Sequence, residues 1–259
     1  MVGGECSFWA GIPSKMLLCP GEAVHGAREA AATAEVDVER ALARRDFMVP
    51  DYSDAGQQRW SATKGIALLR GTGRLAVQVA GVGYIADHIV IATGASPIIP
   101  PVPVLSELAG VWTNREVTGL RAVPRRLLVL GGGPVGVEMA QAVRRLGGEV
   151  ILIAPDRHVM PREPAQLGEA LGEVLRRDGV DVVLGVQTVG ARHDGGDYVL
   201  TLDDGQQLRS SPPGGAQGCT TSAWRRSACA RTTTASRSTR TCVPPRTSGW
   251  SAMPPAAGC

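Results

Sequence analysis

The 259-residue sequence predicts an α/β chain built on a parallel sheet, and three observations predict it. Residues 125–157, "RRLLVLGGGPVGVEMAQAVRRLGGEVILIAPDR", run from an apolar stretch through a glycine turn into a helical repeat and out into a second apolar stretch. A further amphipathic segment and an apolar "VDVVLG" follow, so strand and helix alternate. Before them, "GIALLRGTGRLAVQVAGVGYIADHIVIATG", residues 65–94, alternates and turns at two-residue period and ends in an apolar run. Strands alternating with helical patterns give βαβ units and a parallel sheet.

Residues 31–45 suit a helix. Residues 65–94 read as a small β-meander leading into a buried strand, and the proline-rich "PIIPPVPVL" after it reads as a linker. Residues 127–130 form a buried parallel strand because such strands are covered on both faces and need apolar residues throughout. Val135, Met139, Ala140, Val143 and Leu146 then recur at helical spacing, Gly147 and Gly148 stop that helix, and residues 150–153 form the second strand. Residues 167–177 make the next helix, closed by Asp178 and Gly179; residues 187–202 fold as a hairpin across "HDGGD". Domain boundaries fall near 104 and near 209.

Charge divides the chain at the second boundary. The formal net charge of +3 arises from 27 Lys and Arg against 24 Asp and Glu. Six of those arginines (Arg225, Arg226, Arg231, Arg237, Arg240, Arg246) and no acid lie in residues 210–259, so the first 209 residues carry 21 cations against 24 acids, a net −3. Residues 210–259 also hold eight serines, eight threonines and one valine, with no leucine or isoleucine, a composition that buries too little apolar surface to order itself. A disordered basic tail is expected there. A nucleic-acid role through its arginines ranks last. Only Cys6 and Cys19 lie in the body, a sparse usage typical of the cytoplasm rather than of a disulfide framework. No apolar run reaches the ~18 residues of a membrane span and no signal peptide is evident. His25, His88, His158 and His193 show no ligand spacing, so no metal site is expected.

Gly131, Gly133 and Gly136 form G-x-G-x-x-G between a strand and a helix, with Pro134 and Val135 inside the motif. A dinucleotide needs this: a tight turn, a backbone that approaches the pyrophosphate without side chains, and a helix N-terminus whose free N–H groups face the phosphates. The residues predict a Rossmann-type nucleotide domain over 105–209. An acidic residue that would hold an NAD ribose normally ends the second strand; Ala154 stands there, followed by Asp156 and Arg157. Asp156 suits NAD and Arg157 suits the 2′-phosphate of NADP, so the choice stays open.

Three ordered motifs, "GGECSFWAGIPSK" (residues 3–15), "VIATGASPIIP" with Ala92, Thr93 and Gly94, and "LVLGGGPVGVEMA", resemble the FAD-dependent pyridine nucleotide-disulfide oxidoreductases, the group that includes dihydrolipoamide dehydrogenase and mercuric reductase. The resemblance covers about residues 2–209. It implies hydride transfer from NAD(P)H to FAD and onward to a disulfide or another acceptor, which the sequence does not name. It also implies a redox pair of cysteines five positions apart. Cys6 matches the first; Gly11 stands at the second, and a lone thiol cannot cycle as an intramolecular dithiol. Cys6 is read either as a reactive thiol or as an inert small residue. Lys15 matches a lysine beside the flavin, and Glu138 a glutamate near the nicotinamide.

The family's first βαβ unit, with its own FAD turn, precedes the cysteine motif, so residues 1–104 are expected to be a partial FAD domain lacking that unit. The resemblance also implies a homodimer whose contact comes from a C-terminal domain, and on the out-of-frame reading of the tail given next that domain is expected to be absent here. Read one base earlier, the codons around Trp250 and Met253 force valine and alanine and permit Val-Gly-Asp-Ala-Ala-Gly, similar to the family's second FAD fingerprint. Residues from about 210 are therefore expected to be an out-of-frame translation. Two functional readings compete: an FAD and NAD(P)-linked oxidoreductase with an altered redox centre, and a non-catalytic fragment that retains NAD(P) binding.

Overall fold

The computed structural model describes residues 1–74, 78–79, 82–83, 89–210, 219–221 and 223–226. Met1–Ser227 forms one compact unit, and residues 228–259 lie outside the described residues.

Four helices open the first unit: α1 (Gly4–Phe8), α2 (Gly11–Glu29), α3 (Val38–Met48) and α4 (Ala55–Thr63). The helix expected over 31–45 begins only at Val38. Asp37 sets that start, because its side chain accepts the Arg40 N–H at 3.0 Å and caps the helix, while Ala31 has φ 59° and breaks the chain before it. Three short strands, β1 (Gly73–Arg74), β2 (Gln78–Val79) and β3 (Val82–Gly83), pair antiparallel as the expected meander.

The buried strand expected at its end is not formed. Ile89, Val90 and Ile91 belong to no strand and are 60%, 88% and 52% exposed. Their apolar run needs neighbouring strands and a covering layer, and the described residues supply neither. The strand nearby is β4 (Ala95–Ile98).

Then come β5 (Val111–Trp112), α5 (Asn114–Thr118), β6 (Arg126–Leu130), α6 (Pro134–Arg145), β7 (Glu149–Ala154), α7 (Ala165–Arg177), β8 (Asp181–Leu184) and the strands β9 (Thr188–Asp194), β10 (Asp197–Leu202) and β11 (Gln207–Ser210). The last described elements are β12 (Cys219–Thr221) and β13 (Ala223–Arg226). The main sheet has the order β5-β12-β6-β7-β8, with every pairing parallel. Strands β9, β10 and β11 make an antiparallel sheet, longer by one strand than the expected hairpin.

Strand alternation sorts the core into two layers. Leu127, Val129, Val150, Leu152 and Ala154 face α6 and α7 and meet Leu17 and Leu18 of α2 in one buried cluster. Leu128, Leu130 and Ile153 face the other way and pack on Leu200, Leu202 and Leu208 of the antiparallel sheet. Each fully buried leucine here contributes ~1.5–3 kcal/mol relative to exposure.

Two short strands lie within 210–259, the stretch expected to be a disordered tail. Cys219–Thr221 is an inner strand between β5 and β6, and Ala223–Arg226 pairs antiparallel with β4. Composition describes what a segment buries by itself; it does not register an open slot with ladder partners on both sides. The rest of that segment, including the codon-shift reading around Trp250 and Met253, lies outside the described residues. No helix among the described residues is long and apolar enough to cross a membrane.

Candidate functional site

The glycine turn stands at the carboxyl end of β6, where α6 begins. Gly131 has φ 110°, a region closed to side chains without strain, and its N–H continues the parallel ladder by donating to Ile153 O at 2.8 Å. Gly132 is closely packed: a Cβ there would stand 3.3 Å from Ala154 Cβ and 3.4 Å from Val159 Cα, so its neighbours would have to give by a few tenths of an ångström. Gly133 is the residue before α6 and offers no side-chain cap, and Pro134 occupies the first turn. The opening N–H groups of α6 are therefore left for a ligand, in the field of the helix dipole. Gly136 and Val137 are buried behind this turn.

A cleft of about 890 Å³ lies over the turn, lined by Gly131, Gly132, Gly133, Pro134 and Val135 and closed by the segment after β7. That segment is pinned to the turn, since Met160 N–H donates to Gly132 O at 2.6 Å. The size lies within the range of small-molecule and cofactor sites, ~300–1,000 Å³. Asp156, Arg162, Glu163, Gln187 and Thr188 supply polar groups to its walls.

The expected residues divide accordingly. Asp156 lines the cleft; Arg157 is exposed and does not. Arg162, five positions on, is the cation that does, and Gly132 is closely packed within the turn; sequence reading singled out neither. The G-x-G-x-x-G pattern assigns Gly132 to a variable slot, and Arg162 reaches the cleft only because its loop folds back. Ala92, Thr93 and Gly94 are exposed and do not line this cleft.

Lys15 and Glu138, far apart in sequence, meet: Lys15 Nζ donates to Glu138 Oε1 at 2.7 Å and ties α2 to α6. Both remain partly exposed, 55% and 39% for their side chains, so the pair orients the two helices more than it stabilises them. Cys6 is exposed on α1. A Cβ built on Gly11 would stand 2.8 Å from Cys6 Sγ, so the side-chain direction at position 11 aims at the sulfur although glycine stands there. Cys19 is also a free thiol, but eight residues along α2 from Gly11 it is ~12 Å farther up the axis.

Around α1 the electrostatics are local. Arg70's guanidinium bonds both Asp54 oxygens at 2.9 Å, and these bonds, with the Val2 N–H, hold the Asp54 carboxyl well below the usual range. Burial raises the Tyr52 phenol, against the opposing charge of Arg45. No group of three or more His, Cys, Asp or Glu able to hold a metal ion occurs among the described residues, in which His25 and His193 are exposed; His88 lies outside them.

Comparison with known proteins agrees with this geometry. The family model for pyridine nucleotide-disulphide oxidoreductases matches residues 1–226. The chain is 32% identical over 228 residues to a mercuric reductase of Streptomyces lividans, covering 81% of this chain and 48% of that protein. It is 32% identical over 226 residues to a dihydrolipoyl dehydrogenase of Thermus scotoductus, covering 83% of this chain and 47% of that protein. It shares its fold with an HOCl-induced flavoprotein disulfide reductase from Escherichia coli, at a TM-score of 0.71 and 22% identity, over 87% of this chain and 49% of the other. The chain spans about half the length of the curated relatives it matches. Family model, relatives and fold agree on one conclusion: this chain belongs to the pyridine nucleotide-disulphide oxidoreductase family.

Proposed function

We propose that this chain is the nicotinamide-nucleotide half of an FAD-dependent oxidoreductase, one that binds NAD(P)H at the Gly131–Gly133 turn and presents it to the Cys6 segment. The observation that carries this is the 2.7 Å contact between Lys15 and Glu138, which joins the cysteine-motif helix to the nucleotide helix.

The nicotinamide nucleotide fits the residues present. The open N–H groups at the start of α6 hold the pyrophosphate, and Gly132 keeps the backbone close to Ala154 and Val159 beneath it. At the adenosine end, Asp156, Arg162 and Glu163 set two acids against one cation. A 2′-phosphate adds about −2 charge, so this wall favours NADH over NADPH. At the other end, Glu138 is held in place by the Lys15 ammonium. Bound NAD(P)H supplies a hydride; the chain orients the nucleotide and fixes the charge beside it.

FAD is assigned by family, whose members use FAD with NAD(P)H. Cys6 and Lys15 are the residues this chain offers it, while Ala92, Thr93 and Gly94 lie exposed outside any strand. The electron acceptor, a homodimeric assembly and a cytoplasmic location are parts of the same proposal.

The second reading, a nucleotide-binding chain without turnover, is favoured by Gly11 at the second cysteine position and by the exposure of residues 89–91. One experiment separates them. The protein is incubated with FAD, freed of unbound flavin, and given NADH without oxygen. The oxidoreductase reading predicts retained flavin whose visible absorbance bleaches. Absence of retained flavin, with NADH still bound, supports the second reading, and absence of both refutes the proposal.

A further inference from the structure

Helix α1 has five residues, begins at Gly3 without a side-chain cap, and is far shorter than an isolated helix needs to persist. Its conformation, and with it the aim of the Cys6 sulfur, is set from outside. Besides α2, which packs against it, the outside element that bonds it through side chains is α5. Asn114 Nδ2 donates to the Trp9 carbonyl at 2.9 Å, just past the end of α1, and Arg115 Nη2 donates to Glu5 Oε1 at 2.9 Å inside it. The Trp9 indole stacks on the Tyr52 ring at 4.2 Å and 9°, with the Arg115 guanidinium 6.0 Å from its centroid.

Helix α5 is itself fixed at both ends. Thr113 and Glu116 form a reciprocal capping box at its start. At its end the buried Arg45 donates to Thr118 O at 2.6 Å and Leu120 O at 2.7 Å. The arrangement carries strain of its own. Asp51 and Tyr52 have φ 49°, and Glu5 Oε2, Tyr52 Oη and Asn114 Oδ1 are buried without hydrogen-bond partners. Such features persist where the surrounding structure over-determines them, and they concentrate at functional sites.

We propose that Asn114, with Arg115 behind it, is a positioning residue for Cys6: it clamps the end of α1 and thereby aims the sulfur at position 11. This rests on the oxidoreductase reading above, in which Cys6 is a working thiol. Asn114 is 3% exposed and its amide is the side-chain donor to the Trp9 carbonyl. An aspartate there keeps the shape and replaces the donor by an acceptor.

The aim of the sulfur is measured by giving it a partner. A disulfide's S–S length of ~2.05 Å places the partner's Cβ about 3 Å from the first sulfur, which is where a Cβ on Gly11 falls. In a glutathione redox buffer, Gly11→Cys is expected to close a bond to Cys6, and the effective molarity of the pair reports the geometry. Adding Asn114→Asp is expected to lower that molarity about five- to tenfold, the worth of one lost hydrogen bond. An unchanged value overturns the proposal, as does failure of the Gly11→Cys protein to close the bond. Should Asn114→Asp not fold, Arg115→Ala and Arg115→Lys on the Gly11→Cys background decide. The proposal expects a loss with alanine and recovery with lysine, and equal values overturn it. NADH titration of the same samples keeps the two claims apart. Affinity is expected to stay the same throughout, and failure of NADH to bind any of them strikes the oxidoreductase reading alone.

Discussion

Substituting alanine for Gly131 tests the nucleotide turn against a matched control. With φ 110°, Gly131 adopts a backbone that costs an L-residue ~1–2 kcal/mol. In the free Gly131→Ala protein the turn is expected to relax away from that conformation; binding a pyrophosphate requires it back, so the same energy is charged to affinity. One to two kcal/mol corresponds to a Kd for NADH raised about 5- to 30-fold. The control is Gly147→Ala at the other end of α6. Gly147 has φ 100°, a Cβ there meets nothing within 4 Å, and it lies outside the nucleotide cleft. Gly147→Ala keeps its strain in the free protein and is expected to lower Tm by a few degrees, ~2–8 °C, whereas Gly131→Ala, whose turn relaxes, is expected to lower it by less. Fluorescence titration with NADH is expected to show weakened binding in Gly131→Ala and wild-type binding in Gly147→Ala. Equal affinities in the two variants would refute the assignment of the turn.

Three further outcomes follow from the same geometry. Asp156→Asn removes one of two acids from the adenosine wall, so the ratio of NADPH to NADH affinity is expected to rise severalfold, measured by parallel titrations. Lys15→Met and Glu138→Gln break a partly exposed pair worth ~0–1 kcal/mol, so calorimetry is expected to show Tm shifts of at most about 4 °C, while reduction of bound flavin by NADH slows clearly. Asp54, depressed by Arg70 and the Val2 N–H, contributes stability that is present above the ordinary carboxylate value of ~4 and is lost as pH falls below it. Amide exchange of residues 2–9 is therefore expected to accelerate, relative to the chemical rate, as pH falls through that range, and Asp54→Asn is expected to remove the pH dependence.

The strand–turn–helix–strand unit around the glycines was legible because its signals are local. Leu127 to Leu130 can only be a covered strand, and glycines at 131, 133 and 136 punctuate a strand-to-helix junction. Lys15 and Glu138 were singled out through family resemblance, and their contact required the fold. What sequence missed depends on distant partners. Ile89, Val90 and Ile91 carry the pattern of a buried strand, yet burial needs neighbours that the pattern does not contain. Cys219–Thr221 carries little apolar residue, yet it fills the slot between β5 and β6. The clamp on α1 is hidden for the same reason, since Arg45, Asn114 and Trp9 show no common motif. Arg157 was the cation read from sequence for a 2′-phosphate; the loop after β7 places Arg162 on the cleft wall.

Hydrogen exchange with and without NADH tests the central claim most directly, because it reports both binding and place. The account predicts slowed exchange at residues 131–137 and 155–163, which frame the cleft, and no change in the cleft on the far side of α6 lined by Arg28, Arg144 and Arg177. Protection confined to that second cleft, or none at saturating NADH in a folded sample, would contradict it.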